Sequence, residues 1–426
     1  MALTAIFILL AAMLILRMPI AFAMGIAGLL GLSIELGPTQ ALSLLERQLY
    51  EQTSAFILVS IPLFILMAEL LTSGDMTRRA VIACQAWLGH MRGGLALATV
   101  WASVLLAALV GSSTASSATM ASSAYPEMKK HDYDDRLSTA VVSVGGTLAI
   151  LIPPSIILIV YGVMTETSIG KLFLAGVVPG FMTAAALAIT VMIVARREGM
   201  APMATPFDLK LALRESAYVW PTALLLIVVI TAIYTGFASP TEAGAVGAAG
   251  ALRISILLGT ATPRPVATGL SRAIQTTVMI VAIIYCSQLF SSYLVFTKVT
   301  QNVIHWIEGS GMPAPAIICA ILLILLVLGC FLDQLAILSL TLPLTFPIIA
   351  ALKYDPVWFG IIITKTVEIG LLTPPLGLNV YVTSSQTKVP LKRVFEGVIP
   401  FLIAEVIVTA ILVLFPSLTL WLPSKM

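Results

Sequence analysis

Ser112 and Ser113 open the run 111-GSSTASSATMASSA-124, which carries six serines in fourteen residues of an otherwise apolar chain. Asp333, Thr373 and Asn379 are polar residues in apolar surroundings, and Pro153 and Pro374 each begin a Pro-Pro pair. Proline lacks a backbone N–H and frees the carbonyl one turn back. Hydroxyl, carboxylate, amide and freed carbonyl are all hard oxygen donors, with no thiol or imidazole among them. Such a set suits a small hard cation such as Na⁺. Packing is the other reading of the serines, because small residues let helices approach closely. It fits Ser117, Ser122 and Ser123 better than Ser112 and Ser113.

The elements that position these groups lie in a bilayer. Of 426 residues, 59% are hydrophobic and 10% charged, where a soluble domain has about 25% charged; the mean hydropathy is +1.05. Apolar runs recur at 2–35 (interrupted at Arg17-Met18-Pro19), 55–72, 137–163, 172–195, 216–237, 241–259, 272–296, 357–383 and 393–416. Counting the first as two gives about ten spans. The start, MALTAIFILL, has no basic stretch before its apolar run, so a cleaved signal peptide is not expected. A net charge of +3 without an aromatic-interleaved basic run gives no sign of nucleic-acid binding. Cys84, Cys286, Cys319 and Cys330 lack CxxC spacing and read as small core residues, while His90, His131 and His305 lie in or beside polar segments. No phosphate-binding loop is present, since Gly170-Lys171 is followed by leucine.

Charge sets the expected topology. Arg78, Arg79 and Arg92 precede the apolar run that ends at the serines, and Lys129, Lys130 and Arg136 follow them. Both flanks then face the cytoplasm, so 94–127 is expected to be a re-entrant hairpin with the GSSTASS run at its tip. A second hairpin, 314–350, lies between Lys298 and Lys353 and is expected to open on the other side.

Sliding the chain by 221 residues pairs Pro126 with Pro347, Pro153-Pro154 with Pro374-Pro375, Lys171 with Lys392, Gly176-Val177 with Gly397-Val398 and Pro179 with Pro400. The copies start on opposite sides, which makes an inverted-topology repeat, a construction of secondary transporters. Each copy has a broken helix: 137–163 passes through Gly145-Gly146-Thr147 to Pro153-Pro154-Ser155, and 357–383 through Gly370 to Thr373-Pro374-Pro375 and Asn379. Half-helix ends can hold a cation on freed carbonyls and an anion on freed N–H groups. Asp333 takes the place of Ser112 in the second copy, and a buried carboxylate there is expected to need a cation or ligand. For Glu368, a structural and a functional role are both open.

The runs 126-PEMKKHDYD, 145-GGTLAILIPPSIILIVYG, 170-GKLFLAGVVPG, FLDQLAI and 368-EIGLLTPPLGLNVYV resemble the large membrane subunit of tripartite ATP-independent periplasmic (TRAP) transporters, over nearly the whole chain. The resemblance implies a multi-pass protein of the bacterial inner membrane working with a small four-helix membrane subunit and a periplasmic substrate-binding protein. It implies import of an organic acid, such as a C4-dicarboxylate, sialic acid or another sugar acid, with Na⁺ as coupling ion and no other cofactor. The implied fold is an all-α polytopic, inverted-repeat elevator-type transporter with two re-entrant hairpins and two discontinuous helices. Carried over residue by residue, one cation site comprises Ser112, Ser113, Gly145, Thr147 and Pro153. The other comprises the tip near Asp333 and the break from Gly370 to Thr373; Asn379 is also expected among the cation-binding residues, with substrate near Ser112, Ser155, Asp333 and Asn379. Relatives carry more Gly and Ala at the first tip than this chain does.

The expected organisation is scaffold helices in 1–76, a first transport region in 77–180, further scaffold in 181–296, a second transport region in 297–401 and a closing helix end in 402–426. The binding protein is expected to dock on 35–54 and 297–315, unless these are amphipathic interfacial helices. A stand-alone Na⁺-coupled anion symporter would use the same architecture without partners. An intramembrane enzyme would need a nucleophile with its base or a metal cluster, and no histidine lies in a span. In a cysteine-free background, Lys353→Cys should react with an impermeant thiol reagent added outside, and Lys130→Cys should not. Equal labelling would remove the inverted topology.

Overall fold

The computed structural model describes residues 2–72, 76–197, 200–202, 207–259 and 261–426, and among them there are helices and turns but no strand. An apolar chain in hydrocarbon has to satisfy its backbone within each segment, and a helix does so. The chain opens with α1 (Ala2–Ile15), α2 (Ile20–Leu36), α3 (Pro38–Thr53), α4 (Ser60–Thr72) and α5 (Met76–Leu88). Next come α6 (Gly94–Val110), α7 (Ser113–Lys130), α8 (Asp135–Gly145), α9 (Leu148–Leu151), α10 (Ile156–Thr165) and α11 (Ile169–Val194). Four helices follow: α12 (Leu209–Tyr234), α13 (Pro240–Leu257), α14 (Pro263–Phe296) and α15 (Val299–Gly309). The last group is α16 (Ala314–Gly329), α17 (Gln334–Ala351), α18 (Pro356–Leu372), α19 (Leu378–Thr387), α20 (Leu391–Leu414) and α21 (Ser417–Leu420).

Among the described residues, six helical stretches are long and apolar enough to cross a bilayer, counting α8 to α10 as one, and a bent α3–α4 pair would make a seventh. About ten were expected from the apolar runs. Five of the six match expected spans and the sixth is α17; the expected spans outside the set are α1, α2 and α4, which are short, α18–α19, which the second Pro-Pro pair divides, and α13.

The 221-residue offset also relates helix bounds. Added to the bounds of α7 it gives those of α17, and added to the first residue of α8 it gives the first of α18. The broken helices run antiparallel. The Tyr161 hydroxyl near the end of α10 donates to the Pro356 carbonyl at the start of α18 (2.7 Å), and the Ser143 and Thr383 hydroxyls are 2.9 Å apart where α8 passes α19. At the opposite end Arg393 of α20 lies 3.9 Å from Asp135 of α8. Two helix pairs, α14 on α2 and α13 on α4, stand beside this interleaved core.

Glycines at close approach lie beside both breaks. In the first, the Ser155 hydroxyl donates to the Ile150 carbonyl (2.5 Å) and accepts from the Leu158 N–H, tying the two half-helices together. A Cβ on Gly176 of α11 would come within 2.3 Å of the Leu151 carbonyl, so only glycine lets α11 lie against that break. The second break leaves Pro374, Pro375 and Leu376 exposed, and its upstream turn is pinned where Gly370 meets Gly329 of α16 backbone to backbone.

The α3 helix turns 59° away from α4 and leans on α14, with Gln48 donating to Ser292 (2.6 Å), Gln52 to Gln288, and the Thr53 and Tyr285 hydroxyls 2.7 Å apart. Its outer face keeps the exposed Arg47–Glu51 pair (2.7 Å), and α15 exposes His305 and Glu308.

Gly370→Ala should lower the thermal unfolding midpoint in detergent, because the added methyl would sit 2.6 Å from the Gly329 Cα. The expected loss is about 1–3 kcal/mol, the usual cost of overpacking. Gly309→Ala, where a Cβ meets nothing within 4 Å, serves as the control and should leave the midpoint unmoved.

Candidate functional site

The first tip, Gly111–Ser112, ends α6 with a left-handed Gly111 (φ 61°) and starts α7 with Ser112 in extended conformation. Ser112 caps no N–H of the first turn of α7 with its side chain. At the second tip Asp333 stands at the matching position and does cap its helix, its Oδ1 accepting from the Ala336 N–H at 2.8 Å. The two helix N-termini therefore differ. One presents backbone donors and a positive dipole end, and the other carries a carboxylate.

Between the tips lies a cavity of about 210 Å³. Ser112, Ser113 and Thr114 line one side, Asp333, Gln334 and Leu335 the other, with Ile156 and Ile157 of α10, Leu371 of α18, and Thr276, Met279, Ile280 and Ile283 of α14 completing the wall. A larger cavity of about 710 Å³ shares Ser112, Ile156, Thr276 and Met279 with it and runs along α4 and α14 to Glu69, Arg264 and Arg272. Arg272 is 4.0 Å from Glu69 there. A chamber with converging polar groups and an apolar wall is the usual form of a small-molecule site.

Behind the first tip is a buried oxygen cluster. The Asn379 amide donates to the Ser113 hydroxyl and, at 3.4 Å, to the Ser143 carbonyl, which also accepts from the Ser117 hydroxyl at 3.2 Å. Asn379 Oδ1 and Ser116 Oγ are buried with no hydrogen-bond partner among the described residues. Gly146 lets α7 come this close, since a Cβ there would meet Ser117 Oγ at 2.0 Å and the Ser113 carbonyl at 2.7 Å. Gly145 does the same beside Ser103 (2.4 Å to Oγ). Hydroxyl, carbonyl and amide oxygens, two of them unpartnered, make a donor set fit for a hard cation.

The structure distributes the expected site residues differently in three respects. Asp333 is exposed and lines the cavity, so the burial expected of it is not seen; helix capping and contact with the cavity accommodate its charge. Asn379, which follows the second break in sequence, reaches the first tip, because α19 runs antiparallel to α8 and packs on α7. Ser155, expected at the substrate, is fully buried and spends its hydroxyl on the break, while its neighbours Ile156 and Ile157 face the cavity. Ser112 and Asp333 do meet across the chamber. Thr147 is buried and donates to the Val144 carbonyl (2.7 Å), Pro153 lies within the buried first break, and Thr373 donates to the Ile369 carbonyl (2.6 Å). Gly370 packs on Gly329, behind the Leu371 wall.

Sequence reasoning missed Ser117 as a cluster member, together with Ser143, the α14 wall, and a buried group formed by Lys365, Glu368 and Glu405. Lys365 and Glu405 were visible as charges inside apolar spans. The Ser143 contribution comes from its carbonyl, which side-chain chemistry does not reveal.

Replacing Asp333 separates its capping from its charge. Asn caps as well as Asp, so Asp333→Asn should leave the unfolding midpoint in place, whereas Asp333→Ala should cost about 0.5–2 kcal/mol. Equal losses in the two variants would show that the carboxylate charge, and not the cap, holds α17.

A family model described as the DctM component of the tripartite ATP-independent periplasmic transporter matches residues 7–418. The C4-dicarboxylate TRAP transporter large permease protein DctM of Pseudomonas aeruginosa is 34% identical, over 94% of each chain. The sialic acid TRAP transporter large permease protein SiaM of Vibrio cholerae is 30% identical, over 86% of each. The crystal structure of the Alcanivorax borkumensis YdaH transporter is similar with a TM-score of 0.57, covering 89% of each chain at 12% identity, a likeness of fold alone. An all-helical chain with several membrane-crossing helices, matched over almost its full length, belongs to the DctM family of tripartite ATP-independent periplasmic transporters and is a large permease subunit, not an enzyme.

Proposed function

We propose that the chain imports an organic acid by Na⁺-coupled symport, taking its substrate from a periplasmic binding protein and working with a small four-helix membrane subunit. The observation that carries this reading is the orphaned Asn379 Oδ1 in a buried oxygen cluster directly behind a tip that lines the central cavity. Ser113 belongs to both, since its hydroxyl takes the Asn379 amide and it also borders the cavity. A Na⁺ ion held by Ser113, Ser117, the Ser143 carbonyl and Asn379 would fix the tip against the break. It would also add positive charge behind the open N-terminus of α7, and an anion in the cavity would then be held by backbone N–H groups. Each ligand stabilises the arrangement that the other needs, which is coupling in the thermodynamic sense.

Asp333 faces the same cavity from the other side. Its carboxylate repels a second negative charge and accepts from hydroxyl or ammonium groups, so it orients a substrate that has a carboxylate at one end and donors at the other. C4-dicarboxylates and sugar acids both present a carboxylate to the first tip, and hydroxyl-bearing acids add a match to Asp333. The broad cavity runs toward Arg264, Arg272 and the end of α4 that leads in sequence to Arg78 and Arg79, the flank that charge counting assigns to the cytoplasm, so we read this conformation as inward-open. The two hairpins and broken helices move as one body against α2, α4, α13 and α14, and the binding protein docks on the opposite face at α3 and α15.

Uptake into proteoliposomes containing all three components tests the reading. Asp333→Asn should reduce uptake at least tenfold, a loss of about 1.4 kcal/mol. Ser113→Ala and Asn379→Ala should raise the Na⁺ concentration for half-maximal uptake by a similar factor, with Ser112→Ala acting on substrate affinity instead. Wild-type uptake that persists when choline replaces Na⁺ and the proton gradient is collapsed would sink the coupling. Uptake without the binding protein would point to the stand-alone symporter.

A further inference from the structure

Lys365 and Glu368 lie one turn apart on α18, facing Glu405 of α20 and Thr183 of α11, and all four side chains are buried. Lys365 Nζ donates to Glu368 Oε2 at 2.8 Å, to Glu405 Oε2, and to Thr183 Oγ1 at 3.2 Å. These three bonds use every proton of the ammonium. Glu368 Oε1 and Glu405 Oε1 remain buried without a partner among the described residues. With ordinary charges the group is one cation and two anions, a net negative charge with no exposure to solvent.

No second cation among the described residues offsets it. The α9, α10, α16, α17, α19 and α21 helices that pack on α18 carry no Lys, Arg, His, Asp or Glu. Tyr161 of α10 turns its hydroxyl to the Pro356 carbonyl. Lys171 of α11 and Lys392, Arg393 and Glu396 of α20 are exposed. At the α8 end of α20, Asp135 is paired with Lys129 and Arg136 with Asp134. A buried excess charge is penalised heavily, and a titratable group relieves the penalty by taking up a proton. A metal ion would need about six oxygens, whereas the triad offers two unpartnered ones.

We propose that Lys365, Glu368 and Glu405 form a proton-binding site, in which one proton shared by the two carboxyls makes the buried triad neutral. The proton belongs to the pair and not to either residue. The equivalent positions of the first copy are Val144, Thr147 and Ala184, so the site is confined to the second copy. Its helices flank the hairpins, and neutrality means that α11, α18 and α20 can shift within a membrane potential without carrying this charge.

Infrared spectroscopy of the purified full-length protein at pH 7 reads the proton directly and needs no substrate, Na⁺ or partner, so its outcome is separate from that of the transport reading. The wild type should show a protonated-carboxyl C=O band equivalent to one group per chain, shifted down in deuterium oxide. Glu368→Gln and Glu405→Gln should each abolish it, because one carboxylate then balances one ammonium. Lys365→Met should double the band, since both carboxyls are then neutral. A wild-type spectrum without such a band overturns the proposal whether or not the variants fold. So does a band that survives unchanged in both glutamine variants.

Discussion

A helix cannot be broken inside hydrocarbon unless the freed backbone groups are covered by protein or face a cavity. The rest of this structure depends on that constraint. Two Pro-Pro pairs open the helices that run through α8–α10 and α18–α19. At the first break, coverage comes from Ser155 bridging the half-helices and from α11 pressing its Gly176 and Gly180 onto Leu151 and Ile152. At the second, α16 backs the turn before the prolines through Gly329 and Gly370, while the prolines themselves stay exposed. Hairpins and neighbouring helices are placed where they are because the breaks need them, and the cavity forms between the hairpin tips.

Repeated sequence does not produce repeated contacts. Gly176 and Gly397 match under the 221-residue offset, yet Gly176 covers its own break and Gly397 lets α20 approach the start of α8 at the Arg136 carbonyl. Ser113 meets Asn379, while their counterparts are Gln334 and Leu158, a pair that cannot rebuild the same oxygen cluster. A symmetric scaffold therefore carries one well-formed cluster behind the first tip, a carboxylate at the second, and an ion triad beside the second copy alone.

Much of this was legible in the residues. Hydrophobic runs and the Pro-Pro pairs located the helices and their breaks, because both report on local backbone physics that no tertiary contact overrides. The offset read from the prolines also relates the bounds of α7 to those of α17, which the sequence places only within hairpins at 94–127 and 314–350. Ser112 and Asp333 were legible as cavity residues through their matched positions at the two tips. Burial was not legible: Asp333 is exposed while Ser155 is enclosed, and which side of a break faces a cavity is decided by the helix packed opposite. Nor was the partner of Asn379, since pairing α19 with α8 and α7 is a choice of long-range packing. The α14 wall lies in a helix outside both repeat copies, and its apolar residues look like any others.

The asymmetry has a chemical consequence for what can occupy the cavity. An anion placed against the α7 N-terminus finds unspent backbone donors, whereas at α17 Asp333 has already taken the Ala336 N–H. A symmetric dianion would gain at one tip and be repelled at the other unless a cation intervened near Asp333 or the substrate turned a donor group toward it. Under the proposed transport reading, orientation in the cavity would be set by the difference between two equivalent helix starts, an uncapped one at Ser112 and one capped by Asp333. Met279, Ile280 and Ile283 of α14 form the apolar wall along which a molecule so oriented would rest.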